Sequence, residues 1–214
     1  MRRSVGFVLA GWAALVATGQ WMLLTHTTTA GDPGHPLVHL PPTLAARLDW
    51  PGTRPLLVVC AHPMCPCLPA TLTELQRALR HGPAVDVRVL VHTPTAPPPA
   101  WHTRTLPGVR AQLPAGSERA DVDGALARAI GVATSGHVLL YGTDGMLQFT
   151  GGVTAGRGHQ GDSSAGRALV QALQTQGKSS VSTAVFGCPL VADSDPHEPE
   201  CCQSVPEGGR ATAR

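Results

Sequence analysis

Charge is scarce in this chain: only 14% of its 214 residues are Asp, Glu, Lys or Arg, and the formal net charge is +2. No run of Lys or Arg gathers that excess in one place. The electrostatic footprint that a phosphate backbone requires is therefore missing, which excludes nucleic acid as a partner class. Internal repeats are also absent. The glycine-rich stretch "GGVTAGRGHQGD" (151–162) lacks the G-K-[ST] ending of a phosphate loop, so it is expected to shape a turn rather than to hold a nucleotide. What the chain does have is 43% hydrophobic residues, enough for a packed core, with 24 glycines and 20 prolines that imply long irregular stretches. Its length suits one domain of about 100–200 residues plus extensions.

The N-terminus, "MRRSVGFVLAGWAALVATGQWMLLTHTTTAGDPG", places Arg2 and Arg3 before a nearly uncharged run through Leu24. About 20 apolar residues match one helical bilayer crossing. Positive charge ahead of the span favours a cytoplasmic N-terminus, with the rest on the extracytoplasmic, periplasmic side. A cleaved signal peptide ending near "TTA" (28–30) is the alternative, and both readings export the domain. The expected organisation is an anchor over 1–25, a Gly/Pro/Thr/His-rich linker over 26–50, one domain over 51–177 and an extension over 178–214. That extension is irregular, with a polar tail from 193.

Within the domain, "RPLLVVCA" (54–61) is a continuous apolar run, as in a strand buried on both faces. Leu68, Leu72, Leu75 and Leu79 fall at helical spacing, and Gly82-Pro83 ends that helix. "AVDVRVLVH" (84–92) alternates as a second strand. "SERADVDGALARAIG" (117–131) is expected to be a helix capped by Ser117 and stopped at Gly131. "HVLLY" and "MLQFT" flank "GTDG" as a hairpin, and a last helix runs from Ser163 to about Gln176 with Asp162 as its N-cap. The order β-α-β then α-β-β-α predicts an α/β sandwich with a mixed sheet.

The six cysteines are Cys60, Cys65, Cys67, Cys188, Cys201 and Cys202. In an exported protein the default for cysteines is disulfide pairing. Cys60 sits inside the first strand and is expected to be inert core. Cys65 and Cys67 stand differently, in "HPMCPC" just before a helix whose first turn suits Pro69. Free backbone N–H groups and the dipole at a helix start favour thiolate over thiol. A Cys65–Cys67 bridge would close a very small ring, which stabilises little and is easily reduced. Three readings stay open: a redox site, either a Cys65–Cys67 pair or a nucleophile there with Cys188 in "VFGCPL" as the leading resolving candidate; staples from Cys65 or Cys67 to Cys188; and a metal site. For the last, Cys65, Cys67, His62 and His137 offer thiolate and imidazole suited to copper or zinc. His137 also suits a satisfied structural role, and Arg157, His159 and Asp162 suit a tight turn and a helix cap.

A strand, a short cysteine loop and a helix opening beside it resemble the working corner of thioredoxin-like proteins over about residues 50–177. The pair is spaced Cys-Pro-Cys, not C-x-x-C; "LLVVC" carries no acid; and Ser135 or Gly136 stands where a proline usually precedes the third strand. "HPMCPC", "SGHVLLY", "GGVTAGRGHQGD" and "VFGCPL" together resemble the RedB-like group. That resemblance implies a thioredoxin-like three-layer α/β sandwich with a mixed central sheet, and the apolar N-terminal run places one transmembrane helix ahead of it. The thiols at the helix start point to thiol–disulfide exchange at Cys65 and Cys67, which needs no dissociable cofactor. The partners would be protein thiols or disulfides and an electron donor or acceptor protein. A copper-delivering protein and a non-catalytic binding module of the same fold are the alternatives.

Overall fold

The computed structural model describes residues 2–80, 82–96, 115–175 and 180–190. Cys201, Cys202 and the tail expected from 193 lie outside the described residues. In chain order the elements are α1 (Arg2–Thr28), α2 (Pro42–Arg47), β1 (Leu56–Ala61), α3 (Leu68–Leu79), β2 (Asp86–Thr93) and β3 (Glu118–Val122). They continue with α4 (Ala125–Ile130), β4 (Val138–Tyr141), β5 (Leu147–Gly151), α5 (Ser164–Thr175) and β6 (Val181–Ser182). The sheet runs β3-β2-β1-β4-β5-β6. β1 is parallel to β2 and antiparallel to β4, which is antiparallel to β5. The inner order β2-β1-β4-β5, with β4 reversed, is that of a thioredoxin-like fold.

The alternating side-chain directions of a strand divide the core between the two faces of the sheet. Leu57, Val59, Val89, Val91, Val138, Leu140 and Phe149 pack with Leu68, Leu72 and Leu75 of α3 and Leu169 and Leu173 of α5. Leu56, Val58, Cys60, Leu90, Leu139 and Tyr141 pack on the other side with Ala127 and Ile130 of α4. Every residue of β1 is buried, so its unbroken apolar run reflects helices on both faces.

The helix expected over 117–131 is divided in two. Glu118–Val122 pairs in parallel with β2 as the edge strand. Asp123 and Gly124 then turn with φ of 50° and 72°, which no helix interior tolerates. Ser117 is not the cap: the Asp121 carboxylate accepts the Leu126 and Ala127 N–H groups at 2.7 and 3.1 Å. Helix α4 does end at Gly131, where a Cβ would lie 2.0 Å from the His35 carbonyl oxygen. At α5 the cap is Ser163, whose hydroxyl accepts the Gly166 N–H at 2.8 Å, while Asp162 pairs with Arg167. The short strand β6, beside β5, lies in a region without periodicity.

Residues 31–48, whose composition suggests a linker, lie along the domain. Gly31 N–H donates to the Val185 carbonyl at 2.8 Å, Leu37 N–H to Ile130 at 3.1 Å and Leu40 N–H to Gly145 at 2.9 Å. The Tyr141 hydroxyl reaches the Leu37 carbonyl at 3.1 Å, and Leu40 and Leu48 are buried. Ahead of this strap, Val5–Thr28 is a 24-residue, largely apolar and largely exposed helical span, long and apolar enough to cross a membrane.

Candidate functional site

The turn after β1 delivers the cysteines. Cys65 N–H donates to the His62 carbonyl at 2.9 Å, and Leu68 N–H donates to the Cys65 carbonyl at 3.2 Å. Cys67 then occupies the cap position of α3, with Pro69 in the first turn, where a missing N–H costs nothing. Cys65, Cys67 and Cys188 are 3%, 8% and 3% exposed, and their side chains join the same core cluster beside α3 and α5.

Cys188 arrives from the far end of the chain. Its carbonyl accepts the Ser135 N–H at 2.8 Å, and Leu190 N–H donates to Ala133 at 2.8 Å. Gly187 must be glycine, because a Cβ would lie 1.9 Å from the Ser135 carbonyl oxygen. Ser135 also holds the cysteine turn, its hydroxyl accepting the His62 N–H at 2.9 Å. The Cys65 sulfur hydrogen-bonds first to the Cys188 thiol and then to the Cys67 thiol, and the backbone N–H groups of both residues add to it. Hydrogen bonds to the charged form favour it, so Cys65 is held far below the usual thiol range. The same sharing pushes Cys67 up, foremost through its bond to Cys65 and then through burial. Against that rise act the Arg157 charge and the Gly158 N–H, which reaches the Cys67 sulfur. Arg157 Nη1 in turn donates to the Gly187 carbonyl at 2.6 Å. The four segments "HPMCPC", "SGHVLLY", "GGVTAGRGHQGD" and "VFGCPL" thus meet at one corner.

The two histidine rings make contacts of their own, although the Cys65 charge also acts on His62. The His62 ring stacks on His92, with centroids 5.2 Å apart, and its Nδ1 accepts the Met64 N–H at 3.2 Å. Burial foremost, then the charge of His92, pushes His62 down to about 4. His137 is fully buried, and its Nε2 meets the Thr150 hydroxyl at 2.8 Å, which ties the ring to β5 and not to the thiols. Burial lowers it to about 4 as well. Among the described residues no three His, Cys, Asp or Glu side chains are arranged to hold a metal ion. Cys65, Cys67, His62 and His137 therefore do not converge as a ligand set. Cys60 faces the opposite side of the sheet, its thiol pushed up by burial and then by Asp121.

Arg157 is the site residue that motif reasoning assigned only to a turn. The available signal was a lone arginine in a glycine-rich loop of a charge-poor chain.

No family model and no curated protein matches the chain. Among solved structures, it is similar to a hypothetical protein of Sinorhizobium meliloti 1021, at 21% identity and a TM-score of 0.47, covering 78% of this chain and 96% of that one. An uncharacterized conserved protein of Geobacillus kaustophilus matches at 13% identity and a TM-score of 0.45, over 78% and 94%. A secreted Mycobacterium tuberculosis disulfide oxidoreductase homologous to E. coli DsbE matches at 19% identity and a TM-score of 0.34, over 48% and 70%.

Proposed function

We propose that this chain is a membrane-anchored, extracytoplasmic thiol–disulfide exchange protein whose nucleophile is the Cys65 thiolate. One observation carries the reading: the Cys65 sulfur accepts hydrogen bonds from two neighbouring thiols and two backbone amides. Thiolate is the reactive form, and the thiols that stabilise it are placed to resolve what it forms. In the forward step Cys65 attacks one sulfur of a partner protein's disulfide, making a mixed disulfide and expelling the partner's other sulfur as thiolate. Cys188 then loses its proton to solvent and attacks the Cys65 sulfur, releasing the second partner thiolate. The product is a Cys65–Cys188 disulfide, and the partner has gained two electrons. A second protein dithiol returns the site to its starting state. Because Cys65 is 3% exposed, a partner reaches it only as one of the covering segments shifts.

The periplasmic location is supported by Arg2 and Arg3 ahead of the apolar helix. Grouping with RedB-like proteins is supported by the meeting of the four resembling segments at this corner. The test uses the full chain, purified in detergent without chelator or reductant, with glutathione disulfide as the oxidant. Wild type is expected to form glutathione adducts and then an internal bridge, while folded Cys65→Ser forms neither. Exchange that survives in Cys65→Ser, or stoichiometric copper or zinc with the thiols still reduced, sinks the proposal.

A further inference from the structure

Cys65 has two thiol neighbours, Cys67 and Cys188, and so two internal disulfides are open to it. The choice between them falls to the chain segment that touches both. Arg157 and Gly158 lie together in the loop between β5 and α5. Gly158 N–H reaches the Cys67 sulfur, with the Arg157 charge beside it. The Arg157 Nη1 donates to Gly187, the residue before Cys188, at 2.6 Å. Backbone contacts fix the loop itself: Arg157 N–H donates to the Thr27 carbonyl at 2.9 Å, and a Cβ on Gly156 would lie 3.0 Å from that same oxygen. The Arg157 Nε is buried and has no hydrogen-bond partner among the described residues. A spare donor is therefore available on the guanidinium whose charge acts on Cys67.

We infer that Arg157 is a positioning residue that selects the Cys65–Cys188 disulfide over Cys65–Cys67, by receiving the Cys67 thiolate and holding the Cys188 segment against Cys65. The inference rests on the exchange reading and names its preferred intermediate. In the selecting step Cys188, its proton lost to solvent, attacks Cys65 within a Cys65–Cys67 disulfide. The Cys65–Cys67 bond breaks, the Cys65–Cys188 bond forms, and Cys67 leaves as the thiolate. No electrons enter or leave the protein. Guanidinium and the Gly158 amide together give that thiolate charge-assisted hydrogen bonding, which is stronger than neutral pairing.

The test equilibrates full-length protein in a glutathione redox buffer, traps thiols with acid and an alkylating agent, and quantifies both disulfides by mass spectrometry. Wild type is expected to hold mainly Cys65–Cys188. Arg157→Gln should move the ratio toward Cys65–Cys67 by about tenfold, the size of one hydrogen bond to a charged group. Arg157→Lys, which keeps the charge, should restore most of the wild-type ratio; a purely structural role would not give that rescue. An unchanged ratio in Arg157→Gln, or a shift that Lys does not reverse, overturns the inference. The wild-type arm tests the underlying reading separately: if Cys65 forms no disulfide with either neighbour, exchange itself fails. If Arg157→Gln does not fold, the Arg157→Lys ratio decides: a ratio that stays mainly Cys65–Cys188 supports the charge argument, and one shifted to Cys65–Cys67 overturns it.

Discussion

Cys60 and Cys65 are neighbours in sequence, yet the sheet sends them to opposite faces and opposite chemistry. Cys60 points among Leu56, Val58 and Tyr141, where desolvation and the nearby Asp121 charge disfavour the thiolate. Cys65 is also nearly buried, but four hydrogen-bond donors meet its sulfur. Burial alone therefore does not set the acidity of a thiol here. What sets it is whether burial comes with donors that replace the lost water. On one face the thiol meets apolar packing and a nearby carboxylate, and on the other it meets a corner of hydrogen-bond donors.

The largest expected break in that comparison comes from the core. Phe149→Ala on the thiol face and Leu139→Ala on the other face each remove a fully buried side chain. Losses of about 3–5 kcal/mol and about 2–5 kcal/mol respectively are expected, read from urea denaturation midpoints. At temperatures where both variants remain folded, only Phe149→Ala should disturb exchange; equal effects on exchange would dissolve the distinction between faces.

A smaller effect is expected from pH. His62 beside the thiols and His137 bonded to Thr150 both have folded values of about 4, against 6.5 for the free side chain. The folded state keeps them neutral, whereas the unfolded chain takes up protons as pH falls below 6.5. Their contribution is full above 6.5 and is lost as pH falls toward about 4, up to about 3 kcal/mol for each group. His137→Gln should flatten the unfolding midpoint plotted against pH across this window, and an unchanged slope would contradict the assignment.

The smallest effect sharpens the contrast most. Cys60→Ala is expected to cost about 1–2 kcal/mol of stability, a small-cavity cost, and to leave glutathione exchange at the wild-type rate. Exchange that falls in the folded Cys60→Ala protein would put Cys60 in the chemistry and remove the contrast between the faces.

The elements that were legible are those with a local signal: β1 from its apolar run, α3 from its leucine spacing, and the β4–β5 hairpin from "GTDG". The misread segment, 117–131, carries no alternating pattern. Its strand exists because β2 offers an edge, and its helix starts where Asp123 and Gly124 break the backbone direction. The strap over 31–48 was hidden for a related reason. Its Gly/Pro-rich composition suggests a tether, but its backbone groups find partners on Val185, Ile130 and Gly145.

Helix spacing, the apolar N-terminal run and the Cys-Pro-Cys turn before α3 were determined by the sequence itself, because periodicity, hydropathy and turn chemistry act over a few residues. Which donors surround Cys65 was decided only by the tertiary structure. Cys188, Arg157, Gly158 and Ser135 reach the corner through sheet order and loop closure, and no short stretch of sequence encodes which distant segments will meet.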